Sequence, residues 1–289
     1  MQISQAKTLF EQSLRQYLDA YPGSVESIMT PMRYAVEDGG KRLRPMLAYC
    51  GAEFCGGTPA SVTNLALAIE MIHSYSLVHD DLPCMDNDTL RRGKPTVHVA
   101  YGEDFAVLAG DGLLTMAFEA ALTAPGEGDH RPEAVAYLAR AAGINGMIGG
   151  QAMDVRNTDA SQYDLDTVTR LYAKKTGALL RAALCCAAIQ CGVTPTELQD
   201  LEAYAYHLGM VFQITDDILD VTSTTEVLGK NVGKDAELDK RSYAHIVGVE
   251  QARADVKRHC EQAIAALASY GTRGRDLCEL CRTLTTRSC

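Results

Sequence analysis

Two stretches of the chain carry aspartates at spacings that concentrate charge. In the apolar run YHLGMVFQITDDILD, Asp216 and Asp220 differ by about 40° around a helix of 3.6 residues per turn, so they share a face. Gln213, three residues before Asp216, joins that face. Carboxylates held this closely repel unless something neutralises them, and a divalent cation is the natural partner. The earlier stretch, Asp80-Asp81-Leu82-Pro83-Cys84-Met85-Asp86-Asn87-Asp88, would not align on a continuous helix, where Asp80 and Asp86 would differ by about 240°. Pro83 disrupts the regular ladder and lets the chain swing Asp86 or Asp88 back towards Asp80 and Asp81. An EF-hand loop starting at Asp86 fails, because Leu90 and Arg91 stand where it needs Asp or Asn and then Gly. Hard oxygen ligands that leave coordination positions to water and phosphate suit Mg²⁺.

Cations lie beside these acids. Gly39-Gly40-Lys41-Arg42-Leu43-Arg44-Pro45 puts three after a glycine pair, and Arg91-Arg92-Gly93-Lys94-Pro95 follows the first acidic cluster directly. Taken singly, such clusters read as surface ion pairs of little energetic weight. Their co-occurrence with His73 points elsewhere. His73 lies seven residues before Asp80, about 20° off the same helical face, and aims a further phosphate donor at the same region. Gly150-Gln151 and Asp154 sit on a helix whose small residues permit close backbone approach, which helix packing alone explains equally well. Cys278 and Cys281 form a C-x-x-C with no second pair at zinc-finger spacing, and read as buried or incidental thiols.

The elements that must position these groups are helices. Val62, Leu65, Ile69, Ile72 and Ser76 follow a helical period, and strict alternation over a strand's length is hard to find. Breaks fall at Pro22-Gly23, Gly39-Gly40, Gly56 to Pro59, Pro83 to Pro95, Ala124 to Pro132, Asn157 to Gln162, Gly192 to Pro195 and Thr222 to Lys240. The expectation is an all-α, single-domain bundle of about ten helices. The segments near 60–82 and 195–221 are apolar over most of their circumference, as central helices are.

Composition narrows the function classes. With 289 residues, 47% hydrophobic and 22% charged, the chain can bury a large core. A net charge of −10, from 27 Lys and Arg against 37 Asp and Glu, opposes nucleic-acid binding as the main activity. No run of eighteen or more apolar residues occurs, so no membrane span is expected. The first residues space their apolar positions helically and lack the core of a secretory signal. Ten cysteines at irregular spacing indicate free thiols in a reducing compartment, and the expected location is the cytoplasm.

In order along the chain, the motifs GGKRLRP, EMIHSYSLVHDDLPCMDNDTLRRGKPT, GGQAMD, KKTGALL, FQITDDILD and LGKNVGKD resemble those of the trans-isoprenyl diphosphate synthases, over nearly the whole chain. The insertion Pro83-Cys84 and the aromatic Tyr75 look like the bacterial farnesyl diphosphate synthases. The resemblance implies a single polyprenyl synthetase domain over residues 1–289, a bundle of the isoprenoid synthase type around a central cavity, and a homodimer. It also implies a prenyltransferase that condenses isopentenyl diphosphate with dimethylallyl and geranyl diphosphate to give farnesyl diphosphate, with geranylgeranyl or geranyl products as the alternative. By resemblance, Asp80, Asp86 and Asp216 are metal ligands, supported by Asp81, Asp217 and Asp220, for Mg²⁺ ions numbering three with substrate bound. Lys41, Arg44, His73 and Arg92 match the site for isopentenyl diphosphate. Arg91, Lys175, Thr176, Gln213 and Lys230 surround the allylic diphosphate, Lys175 and Lys230 adding positive charge as its carbon–oxygen bond breaks. Lys234 departs from the family pattern. Tyr75, with the small Ser76 beside it, is the expected floor that limits product length.

Two other readings compete. A terpene cyclase binds one diphosphate and typically mixes Asn, Ser or Thr with Glu in its second motif, unlike Asp216-Asp217-Ile218-Leu219-Asp220. A non-catalytic subunit of a heteromeric synthase should have lost carboxylates from one cluster, and both are complete.

Overall fold

A computed structural model describes residues 3–21, 25–37, 39–123, 130–156, 164–222 and 242–286. Gly39 and Gly40, at φ +81° and +99°, and Arg42, at φ +48°, break the chain before α3 (Leu43–Phe54). Ahead of this break run α1 (Ile3–Asp19) and α2 (Glu26–Val36). Next comes α4 (Pro59–Asp80), which starts at a proline in its first turn and at Thr58, whose N–H donates to Ser61 Oγ at 3.3 Å. A two-residue antiparallel hairpin follows, β1 (Leu90–Arg91) with β2 (Lys94–Pro95), and then α5 (Val97–Tyr101) and α6 (Glu103–Leu122). The chain continues through α7 (Arg131–Ala142), α8 (Met147–Arg156), α9 (Leu165–Tyr172), a π-helical segment Ala173–Gly177, α10 (Ala178–Gln190) and α11 (Pro195–Thr222). It ends with α12 (Tyr243–Val247), α13 (Val249–Ala266), a 3₁₀ stretch Ala268–Gly274 and α14 (Arg275–Thr285). The architecture is all-α. The described residues hold more than ten helices, two of them, α5 and α12, of only five residues.

One continuous set of buried side chains runs from Phe10 to Leu284. At its centre α4 is buried all round from Leu65 through Ile72. The second enclosed helix is α10, whose Ala178–Gln190 is buried apart from Arg181. The expectation for residues 195–221 holds only for the middle of that segment. On α11 only Leu208–Val211 is buried on all sides; before it Ala203 and Tyr206 are exposed, and after it Ile214, Thr215 and Ile218 are the buried positions. Alanines and cysteines make α10 thin enough to sit between its neighbours. At Gly51 of α3 an added Cβ would meet the Leu184 carbonyl at 2.4 Å, so the two helices approach backbone to backbone. The helix α6 is long and apolar enough to cross a membrane by length and composition. It packs on α4, with Ala109, Leu113, Met116 and Ala117 buried, while Val107 and Leu108 stay exposed.

Candidate active site

The first acidic cluster begins where α4 ends. Asp80 is its last residue, and after Pro83 the chain turns back so that the Asp86 N–H donates to the Asp80 carbonyl at 2.8 Å. Asn87, at φ +49°, completes the turn with its N–H on Leu82 O at 3.1 Å. The fold thus brings Asp80 and Asp86 together as Pro83 suggested. Burial raises the Asp80 carboxyl to about 6; Lys175 opposes the rise and Asp86 adds to it.

Asp81 and Arg91 join each other. Arg91 donates from Nε to Asp81 Oδ2 at 2.8 Å and from Nη2 to Oδ1 at 2.5 Å, and Asp81 is 3% exposed. Sequence reasoning placed Asp81 with the metal and Arg91 with the diphosphate; the structure shows a bidentate pair between them. Arg91 sits on β1, whose hairpin turns at Arg92 and Gly93, both with positive φ, +54° and +78°. That is the backbone of a type I′ turn, with an arginine where Asn or Gly is usual. Arg92 donates from Nη1 to Gly39 O at 3.0 Å, and a Cβ at Gly40 would stand 3.0 Å from its guanidinium. Gly40 therefore serves both the turn and the close approach of Arg92.

The glycine pair and the hairpin gather cations around His73. Burial first, then Arg44, Arg92 and Arg91, hold the imidazole well below its ordinary pKa, so it is neutral near pH 7. Burial also lowers Arg44, to about 10, with Glu70 opposing and Arg92 adding. Arg44 Nε is enclosed and has no hydrogen-bond partner among the described residues. Buried donors are rarely left unpaired. Arg42 plays another part. It is 2% exposed and pairs with Glu11 and Glu70 at 2.8 Å each, which fastens the loop to α1 and α4. Lys41, just before Arg42, is exposed.

The second cluster is approached through α9 and the π segment. Tyr172 Oη donates to Asp217 Oδ2 at 2.6 Å, and the Tyr243 N–H donates to the same oxygen at 2.8 Å. Burial pushes Asp217 up to about 7 in spite of these donors. Three residues after Tyr172, Lys175 Nζ pairs with Asp154 Oδ2 at 2.7 Å. Burial works against the Lys175 ammonium, but Asp154, then Asp80 and Asp86, outweigh it and raise its pKa. The stretch from Tyr172 to Lys175 therefore reaches both acidic clusters. Gly150 makes this possible: a Cβ there would lie 2.3 Å from the Lys175 backbone nitrogen. Sequence reasoning left Gly150 and Asp154 between packing and function, and the structure shows them holding the lysine.

The remaining expected residues lie on the same elements. Thr176 is half-buried in the π segment, and Gln213, Asp216 and Asp220 are half-buried on α11. Tyr75 is 6% exposed, and its enclosed hydroxyl is pushed up to about 12 by burial and then by Asp80. Ser76 Oγ donates to the His73 carbonyl one turn back, at 2.8 Å. Cys281 is buried with its Sγ 3.4 Å from Cys260 Sγ. Lys230 and Lys234 lie outside the described residues. Sequence reasoning missed Tyr172 and Tyr243; neither carries a motif that links it to Asp217.

Among the described residues no three His, Cys, Asp or Glu side chains are gathered closely enough to cage a cation. The donors are carboxylate oxygens, crowded enough that Asp86 raises Asp80. This donor set fits Mg²⁺, which favours one or two carboxylates plus waters and phosphate oxygens.

The site thus joins crowded acids with a group of cations around His73 in an all-α bundle. Residues 25–272 match the polyprenyl synthetase family, and the chain belongs to it. A chloroplast geranylgeranyl pyrophosphate synthase of Capsicum annuum is 45% identical over 243 residues, 82% of this chain and 66% of that protein. This chain thus spans just under two thirds of that relative's length. The structure of an FPP/GFPP synthase from Zymomonas mobilis superposes with TM-score 0.84 at 36% identity, covering 98% of this chain and all of that one. A geranyltransferase from Legionella pneumophila gives TM-score 0.88 at 31% identity, over 99% and 96% of the two chains.

Proposed function

We propose that this protein is a prenyl diphosphate synthase that joins isopentenyl diphosphate to an allylic diphosphate and carries elongation to geranylgeranyl diphosphate. The observation that carries the two-substrate reading is Arg44, enclosed, short of a partner and set beside Arg92 and His73. This cation group and the acids that Lys175 spans support the reading of two diphosphate places. Arg44, Arg92, His73 and Lys41 bind and orient isopentenyl diphosphate, and fixing the double bond near the allylic carbon supplies much of the acceleration. Neutral His73 donates a hydrogen bond there without adding charge. Lys175, held by Asp154, meets the allylic diphosphate with positive charge already in place, which favours the transition state as the carbon–oxygen bond breaks. Asp80, Asp86, Asp216 and Asp220 are the residues that would hold Mg²⁺, which supplies Lewis-acid neutralisation of the leaving diphosphate. Apolar walls exclude water from the cation, and the released diphosphate takes the proton.

The product length rests on the relatives, since the Capsicum protein is a geranylgeranyl synthase. Farnesyl diphosphate, the product first expected from Tyr75, is the second reading. Tyr75 is buried one turn and a residue before Asp80, where a bulky ring shortens the space beneath the allylic carbon. The protein incubated with isopentenyl diphosphate, Mg²⁺ and primers of five, ten and fifteen carbons decides between them. A twenty-carbon alcohol after dephosphorylation is expected; accumulation at fifteen carbons supports the second reading, and no condensation with any primer removes both. We propose a cytoplasmic homodimer, with a second copy covering Val107 and Leu108 on the outer face of α6.

A further inference from the structure

A chain of polar contacts leaves the second cluster and ends on α13. Asp217 accepts from Tyr243 N–H, and the hydroxyl of the same Tyr243 donates to Asp255 Oδ2 at 2.9 Å. Asp255 Oδ1 accepts from Arg258 Nη2 at 2.8 Å and from Nε at 3.2 Å. Tyr243 and Asp255 are 4% and 7% exposed, so both links are enclosed. Tyr243 is thus fixed at both ends, by its amide and by its hydroxyl. Rotation of its ring or backbone breaks one bond or the other. Asp217 lies in the last turns of α11, between Asp216 and Asp220, where helices fray unless anchored.

We infer that Asp255, acting through Tyr243, is a positioning residue for the second aspartate cluster, with Arg258 as its counter-ion. The inference rests on the reading of that cluster as a metal and diphosphate site. Asp255 touches no reacting group. It orients the Tyr243 amide, the amide orients Asp217, and Asp217 sets the turn that presents Asp216 and Asp220. A carboxylate suits the position because one oxygen accepts the phenol while the other meets the guanidinium. A purely structural role for the same bonds, joining α12 to α13, would alter stability and leave metal binding alone.

The test uses the full chain with Tyr243→Phe, which keeps the ring and the amide, and Asp255→Asn, which keeps the volume. Calorimetry with Mg²⁺ and inorganic pyrophosphate measures binding, and hydrogen exchange over 242–247 reads the Tyr243 amide directly. Steady-state rates give kcat, and KM for isopentenyl diphosphate serves as the internal control. Both variants should bind Mg²⁺ about tenfold more weakly and lose about tenfold in kcat, as outer-shell substitutions do, with KM for isopentenyl diphosphate unchanged. Exchange at Tyr243 should quicken, and Asp255→Glu should recover part of each loss. Folded variants with faster exchange but unaltered Mg²⁺ binding and kcat would overturn the inference while leaving the cluster's reading intact. An Asp216→Ala protein with full turnover would overturn that reading, and the inference with it.

Discussion

The two aspartate clusters share an adjacent Asp-Asp pair, and the fold secures the second member of each pair by different means. Asp81 is gripped by a cation, Arg91, and so fastens the hairpin that carries Arg92 to His73. Asp217 is held by neutral donors, the Tyr172 hydroxyl and the Tyr243 amide, and so fastens α9 and α12 to α11. Burial raises both carboxyls, but Asp81 has a full positive charge opposing the rise, whereas Asp217 has only dipoles and reaches about 7. One motif therefore contains two kinds of residue. The second aspartates brace the elements around them, and their neighbours Asp80, Asp86, Asp216 and Asp220 are the ones proposed to meet ligands.

The largest effect should come from removing a carboxylate of the ligand-facing kind. Asp80→Ala and Asp216→Ala should each lower kcat by about 10³-fold or more, comparable to deleting a principal electrostatic stabiliser of a transition state. Chelation of divalent ions should stop turnover in the unaltered protein. Rates within tenfold of normal for either variant would show that the division between ligand-facing and site-building aspartates is drawn in the wrong place.

Next in size is a difference of sign between the two second aspartates. Asp81→Asn leaves the partly exposed Arg91 without its counter-charge and should cost about 2 to 3 kcal/mol of stability, less than the breaking of a fully buried pair. Asp217→Asn keeps an acceptor for the tyrosine and the amide while removing a buried charge. The folded pKa of Asp217 lies above its unfolded value of 3.8. Between about pH 4 and 7 the folded state therefore binds more protons than the unfolded one, and this group's stabilisation falls as pH rises. In metal-free protein the term is of order 4 kcal/mol at most, so Asp217→Asn should melt higher than the parent at pH 8 and similarly to it near pH 4. Thermal melts of both variants across that range give the answer. Equal losses for Asp81→Asn and Asp217→Asn at pH 8 would remove the distinction between ionic and neutral anchoring.

Part of this arrangement is legible in the sequence, and the rest is hidden for definite reasons. Pro83 announces the fold-back of Asp86, because a proline there stops α4 whatever surrounds it. The cation group is legible as composition. Its division of labour is not, since nothing in the run Lys41-Arg42-Leu43-Arg44 says that Arg42 locks onto Glu11 and Glu70 while Arg44 Nε is enclosed without a hydrogen-bond partner among the described residues. The hairpin escaped notice because Leu90-Arg91 and Lys94-Pro95 are too short and too polar to show alternation. The burial of α10 is masked by Ala and Cys, which are small enough to read as indifferent to their surroundings. The π segment Ala173–Gly177 has the composition of an ordinary helix. Tyr243 meets Asp217 across 26 residues of sequence, a distance over which periodicity carries no information.

The smallest effect concerns the connection between the clusters, and it turns on one missing methyl group. At Gly150 an added Cβ would sit 2.3 Å from the Lys175 nitrogen and 2.6 Å from its Cα, both backbone atoms that cannot rotate away. Either α8 or the π segment must shift, and overpacking of this kind costs about 1 to 3 kcal/mol. If the π segment yields, the displacement reaches Lys175 and, three residues earlier, Tyr172, so that both clusters are disturbed at once. Gly150→Ala should then lower kcat more than Gly93→Ala. The latter also carries a strained positive φ, +78°, but an added Cβ there meets nothing within 4 Å. Gly93→Ala should mainly raise KM for isopentenyl diphosphate, through Arg92. The two variants can be matched for stability by thermal melts and then compared in steady-state kinetics. A Gly150→Ala protein with normal kcat and an altered KM for isopentenyl diphosphate alone would mean that the Tyr172 to Lys175 stretch does not join the clusters, and that each is positioned independently.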